Sequence, residues 1–235
     1  MNGRLISALA IFAFAGCTST PTFQTGEDVE MSFDGLTRVD NTVMDVVWAR
    51  TDIDISSYSK VIFENIGVEF RAIEGGPYSG RGGTGSMSSM RRSQTEFRLD
   101  EATKELFVKE ISGAFVSVIT TSDVYDVVEE PGYDVLLARV ALLDVVSRVP
   151  PESIGRSEIY LDTIGDATLV LELRDSMSNA IFLRAVDRRA AGSQSGSLTA
   201  SNRVTNAAEV RRLGQRWARL VKDGLETLMT EGSSP

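Results

Sequence analysis

Histidine is absent from this chain, and cysteine occurs once, at Cys17. The lack of histidine removes the commonest general base and the commonest metal ligand. Serine–histidine–aspartate catalysis, cysteine–histidine catalysis and zinc sites built from histidine and cysteine are therefore excluded. A single cysteine also excludes an intramolecular disulfide. Sites built from Asp and Glu alone, for Ca²⁺ or Mg²⁺ or for carboxylate-pair hydrolysis, are compatible with this composition.

The chain also lacks an excess of basic over acidic residues. The 235 residues include 24 Lys and Arg against 33 Asp and Glu, which gives a formal net charge of −9. Because neutralising nucleic-acid phosphates requires a basic face, this balance argues against a nucleic-acid partner. Apolar residues make up 42% of the chain, enough for an ordinary globular core, and the length allows one domain or two small ones.

No apolar run is long enough to cross a membrane. The run Leu5–Ala15 is apolar or small throughout, apart from one serine, and follows Arg4. As a helix it would rise about 16 Å, against a bilayer core of roughly 30 Å, so its pattern is that of a secretory signal peptide. The best later candidate, Val135–Val146, is interrupted by Arg139 and Asp144.

The run ends in Phe14-Ala15-Gly16-Cys17, which resembles the lipobox of bacterial lipoproteins. The resemblance implies a signal peptide over residues 1–16, cleavage between Gly16 and Cys17, a diacylglyceryl group on the Cys17 thiol and an acyl chain such as palmitate on the new amino terminus. Two or three such chains anchor a protein stably, at about 0.8 kcal/mol per buried CH₂. In enterobacterial lipoproteins, an Asp directly after the lipidated cysteine directs retention in the inner membrane. Here that position is Thr18, so the resemblance favours the outer membrane, with the protein facing the periplasm.

The mature chain is predicted to begin with a flexible tether over residues 17–32, because this segment is rich in Ser, Thr, Pro, Gly and acidic residues. A single α+β domain is predicted over residues 33–232. Its first part, residues 33–48, has scattered apolar residues without a clean period. We interpret that part as an extended arm packed on the domain.

The order of elements in the domain follows from the hydrophobic pattern. Residues 59–70 are rich in β-branched and aromatic residues and predict a strand. An amphipathic helix ending near Thr120 follows, with Ser93 or Asp100 as its N-cap. Later residues predict a short strand at 124–130, an apolar strand at 133–149, a hairpin at 165–189 and a helix at 206–232. This order predicts a mainly antiparallel sheet of about five strands with two amphipathic helices on one face.

The tract VVWARTDIDISSYSKVIFENIGVEF is followed by the helix, by the strand YDVLLARVALLDVV and by the closing RAVDRRAAG. Together with the lipobox, this arrangement resembles the bacterial lipoprotein family described as domain of unknown function 3313, over roughly residues 33–230. The resemblance supports an envelope lipoprotein and implies no catalytic residue. The element order is also similar to that of small lipoproteins that bind a partner in envelope assembly, which makes an envelope protein partner an expectation by analogy.

A glycine-rich segment, Gly80–Gly85, matches the G-x-G-x-x-G pattern of dinucleotide-binding loops. In those proteins the glycines join a strand directly to a helix. Here the motif lies ten residues past the predicted strand, and no helix is predicted to start at its second glycine. A plain loop is therefore the favoured interpretation, and nucleotide binding is the alternative.

Charged residues within the predicted strands are further candidates. We interpret Asp187-Arg188-Arg189 as charge at an exposed strand end, against the alternative of a rim that binds an anionic partner. Arg139 and Asp144 are five residues apart, so a regular strand would direct them to opposite faces, where they would not pair with each other.

An acidic stretch contains Glu158, Tyr160, Asp162 and Asp166. Its spacing does not match a Ca²⁺-binding loop, so a solvated loop is the default interpretation. Trp217, on the last predicted helix, is expected in the core and not on a ligand-binding platform.

These observations favour a lipid-anchored envelope protein that acts as a non-catalytic binding or assembly module, with no cofactor and no metal. The alternative is a periplasmic enzyme that uses paired Asp or Glu carboxylates. That alternative requires two buried carboxyl groups within about 5–9.5 Å of each other in a cleft.

Overall fold

The structure is a computed structural model that describes residues 20–73, 96–150, 158–192 and 197–231. Gly16 and Cys17 at the predicted cleavage site, and the Gly80–Gly85 motif, lie outside the described residues. Within them the chain forms eleven strands and two helices. The strands are β1 (Thr22–Phe23), β2 (Thr37–Asp40), β3 (Val46–Ala49), β4 (Lys60–Phe63), β5 (Gly67–Phe70), β6 (Asp126–Val127), β7 (Val135–Ser147), β8 (Tyr160–Leu161), β9 (Thr163–Asp175), β10 (Ile181–Gly192) and β11 (Thr199–Ala200), and the helices are α1 (Glu101–Ile119) and α2 (Arg203–Glu231).

Nine of these strands form one mixed sheet in the order β1-β2-β3-β10-β9-β7-β4-β6, with β5 also paired to β7. The α+β class is confirmed, but the predicted sheet of about five mainly antiparallel strands is wrong in number and in direction. β4 and β5 run parallel to β7 because α1 lies between them and β7 in the chain, and such a crossover returns the chain in the same direction. The strands β8 and β11 form a separate two-stranded sheet.

The additional strands lie mostly in the segments predicted as tether and arm. β2 and β3 form an antiparallel hairpin from the arm, and β3 joins the sheet beside β10. β1 lies within the predicted tether and pairs with β2. These strands are two to four residues long, which is too short for an alternating pattern to show in the sequence.

The core lies between one face of the sheet and both helices. Ala167, Leu169, Leu171 and Leu173 alternate along β9 and are buried on this face. They belong to one hydrophobic cluster with residues of α1 and α2, which include Ile111, Phe115, Leu213, Trp217 and Val221. Thr168, Val170, Glu172 and Arg174 of β9 alternate with the buried set and lie on the opposite face.

Each helix begins at a side-chain cap. The carboxylate of Asp100 accepts a hydrogen bond from Thr103 N–H at 2.7 Å, so Asp100 is the N-cap of α1. Asn202 Oδ1 accepts hydrogen bonds from Val204 N–H and Thr205 N–H at 3.0 Å each and so caps α2. The helix therefore begins at Arg203, three residues before the predicted start at Asn206. In the part of the chain that the structure describes, neither helix is apolar enough over a sufficient length to cross a membrane.

Candidate ligand-binding cleft

A cleft of about 730 Å³ lies where both helices begin, at the end of the sheet formed by the carboxyl end of β7 and the start of β9. This volume is in the range of about 300–1,000 Å³ that is typical of small-molecule sites. Four parts of the chain line it. They are the segment before α1, the first three turns of α1, residues at the end of β7 and just after it, and the first three turns of α2.

Aliphatic side chains form most of the cleft wall. Leu106 and Phe107 of α1 face the cleft from one side, and Val210 of α2 faces it from another. Val145 of β7 and Ile164 of β9 line it from the sheet. Because apolar walls offer no hydrogen bonds, this part of the cleft suits an apolar group.

Three polar side chains of the lining, Ser147, Glu110 and Asp166, already have partners within the protein. Ser147 is 6% exposed, and its hydroxyl oxygen accepts a hydrogen bond from Val149 N–H at 3.2 Å. Glu110 forms an ion pair with Arg211 at 2.7 Å. Asp166 forms one with Arg148, also at 2.7 Å.

The mouth of the cleft carries the cations Arg98 and Arg203, and both residues are exposed. Asp100 also lines the cleft and is engaged as the cap of α1. Hydrogen bonds from Thr103, with a smaller contribution from the charge of Arg203, hold the pKa of Asp100 below its ordinary value of 3.8. Since the positive ends of both helix dipoles also lie here, the mouth favours negative charge.

A network of arginines and carboxylates adjoins the cleft at Asp166 and continues on the opposite face of the sheet. We refer to it as the arginine–carboxylate network; its members are Arg71, Glu96, Asp144, Arg148, Asp166 and Arg188. Asp144 accepts hydrogen bonds from Arg71 and Arg188, and Arg188 also pairs with Asp166. Two carboxylates therefore share one guanidinium group.

The shared Arg188 bears on the paired-carboxylate alternative, and in the described residues Arg184 is shared in the same way by Asp34 and Glu172. A hydrogen bond from Arg71, assisted by one from Arg188, lowers the pKa of Asp144 to about 2. A general acid needs a pKa raised toward the working pH, so Asp144 is set up as a permanent anion and not as a proton donor. The arrangement favours a structural ion network over an acid–base pair.

Replacing Asp144 with asparagine is expected to destabilise the protein only where the carboxylate is charged. The folded pKa of about 2 lies below the ordinary 3.8, so the stabilisation is complete above about pH 4 and is lost as the pH falls through about 2. The side chain is 38% exposed, and solvent screening limits the expected loss near neutral pH to about 1 kcal/mol.

Urea unfolding of the wild type and of Asp144→Asn across this pH range measures the effect. Asparagine suits the left-handed backbone of this position, where φ is 56°, so the substitution changes the charge with little backbone strain. A difference in the free energy of unfolding that stays the same in acid would contradict a stabilising role of the Asp144 charge.

The structure corrects the interpretation of Asp187-Arg188-Arg189. Asp187 is 2% exposed, lies within β10 and not at its end, and accepts a hydrogen bond from the indole N–H of Trp217 at 2.7 Å. It also accepts one from Arg189 Nε at 2.5 Å. The prediction of an exposed strand end is therefore wrong, because alternation along β10 places Asp187 on the core face. The core position predicted for Trp217 is confirmed by its 0% exposure.

The prediction that Arg139 and Asp144 lie on opposite faces is also wrong. A register shift between β7 and β9 occurs at Asp144, whose φ is 56°, and this bulge turns its side chain toward the face of Arg188. Arg139 pairs with Glu64 at 2.8 Å on that same face, opposite Glu172 of β9. As expected, the two residues pair with neighbouring strands and segments and not with each other.

The acidic stretch is not assembled into one site. Tyr160 donates a hydrogen bond to Glu158 at 2.7 Å, Asp162 accepts one from Thr163 N–H at 2.8 Å, and Asp166 belongs to the arginine–carboxylate network. Over residues 20–73, 96–150, 158–192 and 197–231, no group of three Asp, Glu or Cys side chains is arranged to hold a metal ion.

Sequence reasoning did not identify the cleft. From the sequence, Asp100 is predicted only as a cap of α1, Val210 belongs to the apolar face of the last helix, and Arg98 and Arg203 have no predicted role. The two cap signals, Asp100 and Asn202, were present in the sequence, but nothing in the sequence indicates that the two helix starts meet.

One protein-family model, described as protein of unknown function (DUF3313), matches residues 28–221. No curated protein matches the chain.

Several solved structures resemble the chain at low sequence identity. A Xanthomonas campestris protein of family model DUF330 is 15% identical, covers 78% of this chain and 92% of its own, and has a TM-score of 0.38. A hypothetical protein from Chlamydia trachomatis is 9% identical, with 74% and 99% coverage and a TM-score of 0.40. The PelC dodecamer from Paraburkholderia phytofirmans is 10% identical, with 75% and 96% coverage and a TM-score of 0.32.

Proposed function

This chain belongs to the DUF3313 family of proteins of unknown function, and from this membership we propose that it is a lipid-anchored lipoprotein of the bacterial envelope that acts as a non-catalytic binding module. The anchor and the binding site are separate parts of the chain. The family match begins at residue 28, downstream of Cys17.

The lipobox-like sequence Phe14-Ala15-Gly16-Cys17 supports the anchor. It follows an apolar run with the length of a signal peptide, and it contains the only cysteine of the chain. A protein with net negative charge gains nothing from anionic headgroups, so lipid chains on Cys17 would supply the attachment. Thr18 after the cysteine supports the outer membrane, with the domain facing the periplasm.

The position of β1 shortens the tether in this proposal. Four residues separate Cys17 from Thr22, where β1 begins at one edge of the sheet. Fully extended, this segment spans about 17 Å. A lipid on Cys17 would therefore hold the β1 edge of the domain close to the membrane surface, and not at the distance expected for a tether over residues 17–32.

The observation that carries the binding role is the cleft of about 730 Å³. Three of its polar lining side chains are paired within the protein, and the exposed Arg98 and Arg203 are part of its lining. Such a cleft is suited to holding a molecule, while Asp144 of the arginine–carboxylate network beside it is held as an anion by Arg71 and Arg188. A binding module is therefore favoured over a carboxylate-based enzyme.

Replacing Cys17 with serine tests the anchor. We expect the protein to move from the membrane fraction to the soluble periplasmic fraction, or to accumulate with its signal peptide uncleaved. Membrane fractionation with immunoblotting, and intact-mass measurement of the amino-terminal peptide, record both outcomes. Thr18→Ser is the matched control, because it changes the neighbouring residue and keeps the thiol. Unchanged fractionation of Cys17→Ser would refute lipid anchoring.

A further inference from the structure

We propose that the cleft binds a single-chain anionic amphiphile, with its hydrocarbon chain between the helices and the sheet and its headgroup at Arg98 and Arg203. This inference rests on the proposed binding function and names the class of its ligand.

The hydrocarbon chain is indicated by the chemistry of the wall. Aliphatic groups from four elements converge there, together with one aromatic ring, Phe107. A nucleotide, sugar or peptide would need polar partners within the cleft, because a buried polar group without a partner loses the hydrogen bonds that it makes with water. Among the polar side chains of the lining, Ser147, Glu110 and Asp166 are already engaged by Val149 and by arginines. An acyl chain requires none of them.

The anionic headgroup is indicated by the charge at the mouth. Glu110 and Asp166 are neutralised by ion pairs, and Asp100 is engaged in capping α1. None of the ion pairs among the described residues includes Arg98 or Arg203, and Arg203, exposed at the first position of α2, acts on Asp100 through its charge. Two cations on separate elements therefore flank the entrance to an apolar interior, and this pattern complements a carboxylate or phosphate attached to an acyl chain.

The size of the cleft supports one chain. A volume of about 730 Å³ is in the range for one ligand of drug-like size and is small for a phospholipid with two full acyl chains. Free fatty acids and lysophospholipids both have one acyl chain and an anionic headgroup. Competition experiments with both show which of the two classes binds.

The test uses the full chain carrying Cys17→Ser, purified without detergent, so that no attached acyl chain competes for the cleft. The probe is cis-parinaric acid, a fluorescent fatty acid whose emission rises in an apolar site. Hexadecanoate, lysophosphatidylglycerol, hexadecanol and hexadecylamine are the competitors. We expect saturable binding of the probe, displacement by one or both anionic competitors and weaker displacement by the neutral and cationic ones. Equal displacement by hexadecylamine would overturn the headgroup assignment.

Two variants, one single and one double, test where the probe binds. Ala102 lines the cleft but is exposed in the first turn of α1, so Ala102→Trp narrows the cleft at little risk to folding. It is expected to weaken probe binding at least about tenfold. The double substitution Arg98→Gln and Arg203→Gln is expected to weaken hexadecanoate about tenfold and to leave hexadecanol unchanged. Arg219→Gln is the matched control, because Arg219 is exposed on α2 away from the cleft. Binding that Ala102→Trp leaves intact would overturn the proposal.

The results distinguish failure of the ligand assignment from failure of the proposed function. Mass spectrometry of the recovered probe shows whether it is chemically unchanged, and an altered probe would overturn the non-catalytic role while supporting the cleft. Failure of the anchor appears only in fractionation of Cys17→Ser. Failure of the ligand assignment appears only in the binding curves.

Discussion

Replacing Asp187 with alanine is expected to lower the free energy of unfolding by about 3 kcal/mol. Asp187 accepts hydrogen bonds from Trp217 and Arg189 while only 2% exposed. The alanine would leave the indole N–H of Trp217 buried without a partner, which alone costs about 1–3 kcal/mol. Breaking a buried charge pair costs about 3–5 kcal/mol. Arg189 is 31% exposed and can turn toward water, so the expected value lies at the lower end.

Three further variants isolate the cause. Asp187→Asn keeps an acceptor for Trp217 and is expected to lose less stability than Asp187→Ala. In a Trp217→Phe background, Asp187→Ala should cost less than it does alone, because no indole N–H is left unpaired. Asp52→Ala removes an ion pair with Arg50 that is exposed to solvent, and it should lose far less stability than Asp187→Ala.

Urea unfolding curves, with midpoints and slopes compared, give each free energy. An Asp187→Ala protein within about 0.5 kcal/mol of the wild type would show that the buried carboxylate contributes little.

Replacing Gly165 with alanine is expected to destabilise the protein by about 3 kcal/mol or to prevent folding. A Cβ atom at this position would lie 2.1 Å from the carbonyl oxygen of Val146. That oxygen belongs to β7, whose Ser147 pairs with Gly165 of β9. Relief therefore requires the two strands to separate, and overpacking of this kind costs about 1–3 kcal/mol before any loss of strand pairing is counted.

The matched control is Gly224→Ala in α2, where a new Cβ would meet nothing within 4 Å. There the same chemical change should raise stability by about 1 kcal/mol, because alanine is the better helix former. Thermal and urea unfolding of both variants should give effects of opposite sign. A Gly165→Ala protein as stable as the wild type would refute the close approach of β7 and β9. Since β7 and β9 both line the cleft, Gly165→Ala should also weaken binding of the fatty-acid probe.

Regular elements with a long hydrophobic pattern were predictable from the sequence. The alternation of Leu169, Leu171 and Leu173 indicated β9 and its buried face, and the helical spacing on both sides of Trp217 indicated α2. The hairpin of β9 and β10 was predicted from the turn between them. In each case the signal lies within about ten residues, the scale on which side-chain periodicity is defined.

The role of Asp187 shows where sequence reasoning failed although a signal was present. Its flanking arginines suggested an exposed strand end. However, Asp187 is two residues from Ala185, which is buried on the core face, and the period of a strand places both on one face. A buried tryptophan also needs a partner for its N–H group, and Asp187 supplies it for Trp217.

By itself, the sequence determined which chemistries are absent, the α+β class, both helices and the long hairpin. It also carries the lipobox-like motif at Cys17, on which the proposed anchor rests. Each of these depends on composition or on the pattern within one short segment.

Only the tertiary structure decided the mixed direction of the sheet, the strands of the amino-terminal arm, the Asp144 bulge and the cleft. The cleft joins residues near position 100, near 147 and near 203, which approach each other only once the sheet and helices have packed. Strand partners and cavities depend on contacts between distant segments, and the local periodicity of a chain does not encode which distant segments meet.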